Sequence, residues 1–114
     1  MLRTRSFARV AGVLALAFAV TAAPSFAGDA AASTIVMAKD FMFAPTSLTI
    51  RAGSTVTWTN RDDEPHSVVS DSGLFRSGAL DTNQSFSFRF EKPGTYHYAC
   101  SIHPRMVGTV IVQP

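Results

Sequence analysis

Short stretches of alternating apolar and polar residues make up most of the chain from position 34 onward. In "SFSFRF", residues 85–90, the phenylalanines fall on one side of an extended strand, while Ser85, Ser87 and Arg89 fall on the other. In "TVTWTN", Val56 and Trp58 share one side and the threonines share the opposite one. This two-residue period predicts strands with one buried face and one solvated face.

The same pattern predicts seven strands, separated by turn-forming segments such as "RAGS", "RDDEP" and "EKPG". The predicted strands are residues 34–38, 47–50, 55–60, 66–70, 85–90, 95–100 and 109–112. No stretch beyond the N-terminal segment has a sustained helical period. Seven or eight short strands at this spacing indicate an all-β fold, either an antiparallel sandwich or a barrel.

The N-terminal segment has a different composition. It starts with three arginines and no acid, continues with an apolar run over residues 10–23, and offers small residues at a cleavage site after Ala27. These features predict a cleaved signal peptide, residues 1–27, and a single exported domain, residues 28–114. A membrane anchor is the alternative, but an apolar run of 14 residues is short against the roughly 20 that a span requires.

Removal of the signal peptide changes the charge balance. The whole chain has ten Lys and Arg against eight Asp and Glu, and the signal peptide takes away three of the bases and none of the acids. The mature chain is therefore close to neutral, near −1, and has no basic cluster. This composition argues against nucleic acid as a partner.

The chain contains a single cysteine, Cys100. A lone cysteine cannot form an internal disulfide, and an exported compartment is oxidising, so a free thiol there is a liability unless it is buried or ligated. A domain of this size often gains stability from a staple such as a bound metal. These considerations make a metal a candidate before any motif is weighed.

The candidate metal ligands lie in and near "YHYACSIHPRMVG". Cys100, His103 and Met106 follow one another at three-residue spacing. Strand alternation directs Cys100 inward and His97 outward, which leaves His66 and His103 as the imidazoles available to the thiol. A thiolate, two imidazoles and a thioether suit copper or zinc, and a methionine ligand favours copper. Taken singly, each residue has a structural alternative: a buried thiol, a His–Pro turn, or a methionine that fills the core.

Two segments, "WTNRDDEPHSV" and "KPGTYHYACSIHPRMVGTVIV", resemble the cupredoxins, the type 1 blue copper proteins, and most of all the amicyanin group. The Cys-x-x-His-x-x-Met spacing matches that group's short ligand loop, and the likeness extends over residues 34–112. The resemblance implies an eight-stranded Greek-key β-sandwich. It also implies one type 1 copper ion held by His66, Cys100, His103 and Met106.

The chain departs from the family pattern at two positions. Ser67 stands where the family commonly has an asparagine whose side chain ties the two ligand loops together, and serine is shorter, so a link to Ser101 does not carry over with the resemblance. Arg105 stands where the amicyanin group has an aromatic residue, so the apolar collar around His103 gains a cation.

The resemblance implies an exported, periplasmic electron carrier that cycles Cu(II)/Cu(I) and is not an enzyme. Its expected partners are redox proteins, a c-type cytochrome or an oxidoreductase such as an amine dehydrogenase, docking near His103. We expect a monomer with no stable membrane span. The alternatives are a copper-binding or delivery protein and a metal-free or zinc-bound structural sandwich. The acidic run at 62–64 is either a solvated turn or a surface that steers basic partners.

Overall fold

Eight strands build the part of the chain that the computed structural model describes, residues 11–20 and 33–114. In chain order they are β1 (Ser33–Lys39), β2 (Met42–Ala44), β3 (Ser47–Arg51), β4 (Thr55–Asn60), β5 (Val69–Ser70), β6 (Ser85–Arg89), β7 (Gly94–Ala99) and β8 (Val107–Gln113). The described ranges contain no helix, which confirms the predicted all-β class.

The strands form two four-stranded sheets, in the orders β2-β1-β4-β6 and β3-β8-β7-β5. Each sheet is mixed. β1 runs parallel to β4 and β3 runs parallel to β8, while the remaining pairs are antiparallel. The predicted β-sandwich is confirmed, and its two parallel strand pairs are an addition to the antiparallel arrangement that was expected. Alternation shows which face of a strand is buried but not which way its neighbour runs.

Alternate residues of the strands fill the space between the sheets. Val56 and Trp58 of β4 and Val110 of β8 are completely buried. The ring of Trp58 stacks on Phe75 at 5.5 Å and meets Tyr98 edge-on at 5.4 Å. This aromatic group forms the middle of the core, as the alternation in 55–60 and 95–100 predicted.

One predicted strand is shorter than expected. Of residues 66–70 only Val69 and Ser70 form a regular strand, while His66 makes an isolated bridge with Leu80. The reason lies in the hydrogen bonds: the amide of Ser67 donates to the sulfur of Cys100 at 3.3 Å instead of to a strand carbonyl.

The structure also contains a strand that the sequence did not predict. β2 forms a hairpin with β1 through a two-residue turn, Asp40 and Phe41, in which both residues have positive φ, 53° and 58°. Turns of this kind are normally recognised by Asn-Gly or Asp-Gly. "DF" has no such signal, so the hairpin could not be recognised from the local sequence.

The predicted signal peptide lies largely outside the described residues. Its described part, 11–20, is exposed and has no regular secondary structure. Within the described ranges, no helix has the length and apolar character needed to cross a membrane.

Gly108 of β8 is opposite Tyr98 of β7, and a Cβ built on Gly108 would overlap the phenol ring of that tyrosine. We expect Gly108→Ala to lower the free energy of unfolding by about 1–3 kcal/mol, because the core must shift to admit the methyl group. Urea unfolding of the metal-free protein, followed by fluorescence of the buried Trp58, measures this change. Val107→Ala, at a neighbouring residue that is 54% exposed, is the control and should change stability by no more than about 0.5 kcal/mol. Equal urea midpoints for the two variants would contradict the argument.

Candidate metal centre

The ends of the two sheets bring three candidate metal-binding side chains together. Cys100 directly follows β7, His103 lies in the loop between β7 and β8, and His66 lies in the segment after β4. The loop is closed by two backbone hydrogen bonds: the Cys100 amide donates to the Met106 carbonyl at 3.0 Å, and the Met106 amide donates to the His103 carbonyl at 2.9 Å. Met106, the predicted fourth ligand, is buried at the end of the same loop.

The donor atoms of His66, Cys100 and His103 lie within 4.8 Å of one another. The Nδ1 atoms of the two imidazoles are 3.1 Å apart, and they lie 3.9 Å (His66) and 3.8 Å (His103) from the Cys100 sulfur. His97, by contrast, is exposed and contacts Thr109, as the strand alternation predicted.

This arrangement fits a single ion of intermediate softness. Bonds of about 2.0–2.1 Å to nitrogen and about 2.3 Å to sulfur place two ligand atoms of one ion roughly 3–4 Å apart. The three separations between these donor atoms fall in that range. A thiolate with two imidazoles and a nearby methionine is the donor set that blue-copper sites use.

Hydrogen bonds fix the position of the Cys100 sulfur. It accepts from the Ser67 amide at 3.3 Å, with the Ser67 hydroxyl at 3.8 Å. That hydroxyl lies 2.7 Å from the Ser101 hydroxyl and accepts from the Ser101 amide at 2.8 Å. The shorter side chain of Ser67 therefore does reach Ser101 and ties the two ligand-bearing segments together.

The same contacts control the acidity of the thiol. Burial alone raises the pKa of Cys100, but the amide groups of Ser67, His103 and Ile102 point toward the sulfur and outweigh it, and they lower the pKa to about 6. Amide donors favour the charged form of a group because they solvate the anion in place of water. The thiol is thus disposed to ionise at neutral pH, as metal binding requires.

A buried carboxylate lies behind His66. The Nε2 atom of this imidazole is 2.8 Å from Oδ2 of Asp62, and both side chains are almost completely buried. Burial acts to raise the pKa of Asp62, yet hydrogen bonds from the Phe41 amide, His66 and the Asp40 amide lower it overall. Asp62 is therefore not part of a solvated acidic turn, in contrast to its exposed neighbours Asp63 and Glu64. Sequence analysis missed this role, although the four-residue spacing from His66 was visible.

Phe41 covers the two imidazoles from the solvent side. Its ring meets His66 edge-on at 5.4 Å and His103 edge-on at 5.0 Å. Together with exposed Ile102 and with Arg105, it surrounds the half-buried His103 in a shallow depression. Sequence analysis predicted Arg105 at this collar but not Phe41, because the turn that positions Phe41 was not predicted.

A family model for the cupredoxin-like domain matches residues 10–112 of the chain. The protein belongs to the cupredoxin family. The fold, the short ligand loop and the clustered donors are consistent with that membership.

Two curated relatives show which cupredoxins have sequences similar to this chain. Amicyanin-alpha of Methylorubrum extorquens is 41% identical over 88 residues, covering 73% of this chain and 74% of the relative. Plastocyanin of Scenedesmus fuscus is 40% identical over 85 residues, covering 63% of this chain and 87% of the relative.

Among solved structures, a purple cupredoxin from Nitrosopumilus maritimus superimposes with a TM-score of 0.65 and 36% identity, covering 70% of this chain and 99% of that one. The resemblance to the amicyanin group is thus confirmed, and copper is the cofactor that both the family and the donor set support.

The pKa of the Cys100 thiol in the metal-free protein should be about 6, below the ordinary value of 9.0. Between these values the folded chain binds fewer protons than the unfolded chain, so the free energy of unfolding should rise with pH across this window and fall as pH drops through 6. Thiolate absorbance of the metal-free protein and urea unfolding at several pH values measure both effects. Cys100→Ser is the control and should lose the thiolate signal. A thiol that titrates near 9 in the folded chain would contradict the assignment of the amide groups.

Proposed function

We propose that this cupredoxin is a type 1 copper protein that carries single electrons between protein partners and is not an enzyme. One observation supports this most directly. The thiol and both imidazoles converge at one end of a rigid sandwich, with Cys100 and His66 buried and only His103 partly exposed. In such a site an electron can enter through the exposed imidazole of His103, whereas a substrate would find no open coordination position on the metal.

The ligands in this proposal are His66, Cys100, His103 and Met106. Bound copper would supply the one-electron Cu(II)/Cu(I) couple. The chain supplies a thiolate that is stabilised by amide groups, two imidazoles whose Nδ1 atoms already face each other, and a buried thioether on a loop that two backbone hydrogen bonds close. Fixed ligands favour electron transfer because little has to move when the charge changes.

Redox partners are proposed to dock on the collar around His103. Phe41 and Ile102 are 49% and 44% exposed, and they present apolar surface beside the imidazole. Arg105 adds a cation on one side of the depression. An acidic redox protein, such as a c-type cytochrome or an amine dehydrogenase with a negative docking surface, would match this charge.

Export to the periplasm is the second part of the proposal. It rests on the arginine-rich start, the apolar run and the small residues before Gly28.

We expect the mature protein, purified from its native compartment, to begin at Gly28, with intact-mass spectrometry as the measurement. A chain that retains residues 1–27 in that compartment would contradict signal-peptide cleavage.

Addition of Cu(II) to the metal-free protein tests the site itself. We expect one equivalent to produce an intense blue absorption with narrow copper hyperfine splitting in the electron-spin-resonance spectrum, because thiolate coordination to copper generates both. Cys100→Ser should lose both features, whereas His97→Ala, at an exposed histidine outside the cluster, should keep them.

Other outcomes would redirect the assignment. A pale spectrum, or colour that survives in Cys100→Ser, would exclude the proposed ligand set. A blue site that loses its copper rapidly to a chelator would favour copper binding and delivery over electron transfer, since an electron carrier must retain its ion through many cycles.

A further inference from the structure

The turn that carries Phe41 is unusual for its sequence. Asp40 and Phe41 both adopt the left-handed conformation, with φ of 53° and 58°, and neither is a glycine. A bulky aromatic residue in this region is disfavoured, and such residues persist only where surrounding contacts hold them in place. The structure must therefore contain a group that stabilises this turn.

That group is the carboxylate of Asp62. Its Oδ1 accepts a hydrogen bond from the Asp40 amide at 2.7 Å, and its Oδ2 accepts one from the Phe41 amide at 3.0 Å. The same Oδ2 lies 2.8 Å from Nε2 of His66. One carboxylate thus contacts both residues of the turn and the imidazole beneath it.

Asp62 is itself held firmly. Its amide donates to the Asn60 side chain at 2.9 Å, and its carbonyl accepts from the Thr82 hydroxyl at 2.6 Å. Asn60 is completely buried and also donates to the carbonyls of Glu64 and Leu80. The backbone that carries the carboxylate is therefore fixed relative to β4 and does not simply follow the turn.

The carboxylate also determines which nitrogen of His66 carries the proton. An ionised carboxylate can only accept hydrogen bonds, so Nε2 is the protonated nitrogen of the neutral imidazole. The lone pair is left on Nδ1, the atom that faces His103 and the Cys100 sulfur. Carboxylates placed in this way orient metal-binding histidines in other proteins.

We propose that Asp62 is a positioning residue that joins two parts of the site: it holds His66 in the tautomer that binds metal through Nδ1, and it clamps the Asp40–Phe41 turn so that the Phe41 ring covers both imidazoles. The proposal deepens the function above and rests on its ligand set. Its first tests use the metal-free protein. The positioning role of Asp62 can therefore fail while the copper spectrum is as expected, and it can hold while the copper spectrum is not.

Asp62→Asn is the principal variant, because an amide has one acceptor oxygen for the three donors that converge on Asp62. Asp63→Asn is the matched control: it removes the same charge from the next residue, which is exposed. In the metal-free protein, we expect hydrogen exchange of the Asp40 and Phe41 amides to accelerate by about tenfold in Asp62→Asn. Their exchange should be unchanged in Asp63→Asn.

Metal affinity gives a second readout that requires no redox chemistry. With zinc as the probe, binding should weaken by about 10- to 100-fold in Asp62→Asn, the usual effect of losing a group that orients a metal-binding histidine. Zinc binding by Asp63→Asn should stay close to that of the unmodified chain. If both variants weaken zinc binding equally, the effect is one of net charge, and the positioning role is overturned.

The unmodified chain provides the decisive measurement if Asp62→Asn does not fold. Nitrogen-15 correlation spectra of the metal-free protein distinguish the two tautomers of His66. Protonation at Nε2, together with slow exchange of the Phe41 amide, supports the proposal. Protonation at Nδ1, or an amide of Phe41 that exchanges as freely as one in an exposed loop, overturns it.

Discussion

The hydrogen bonds that join Ser67 to Cys100 and Ser101 hold the two segments that carry the candidate ligands at a fixed separation. The segments lie more than 30 residues apart in the sequence, and one side chain with its own amide bridges them. The same amide is buried and needs an acceptor, while the buried sulfur needs donors if it is to ionise. Each group satisfies the other, so the structural link and the lowered pKa of the thiol have one cause.

The two imidazoles have different surroundings, and this difference separates their roles. His66 is buried, and its Nε2 atom is hydrogen-bonded to the carboxylate of Asp62. His103 is partly exposed in the loop that β7 and β8 support, beside the apolar and cationic surface of the collar. In the proposed function, the buried His66 would fix the geometry of the site, and the partly exposed His103 would face the redox partners. The Phe41 ring, which contacts both imidazoles, lies at the boundary.

Much of this architecture follows from two-residue periodicity. The core-facing sides of β4, β6 and β7 were predicted because Trp58, Phe88 and Tyr98 each sit in a clean alternation. The cluster of donors was predicted because rare residue types recur at short spacing. The relative direction of neighbouring strands was not predicted, because a strand buries the same face beside a parallel neighbour as beside an antiparallel one. The β1–β2 hairpin was missed because tertiary hydrogen bonds, rather than a glycine, stabilise its turn.

Asp62 shows why the rest of the site could not be predicted. By sequence it belongs to an acidic run in a turn, and charged residues in such runs are usually solvated. Asp62 can be buried because three hydrogen-bond donors, from two other parts of the chain, contact its carboxylate in place of water. A buried carboxylate without these donors would be destabilising, and so would two left-handed residues without an acceptor. Each feature is unfavourable alone and stable only with the other, so neither can be recognised locally. The carboxylate and the turn therefore stabilise each other directly beside the candidate ligand His66, and on the proposed function they would keep that ligand in place.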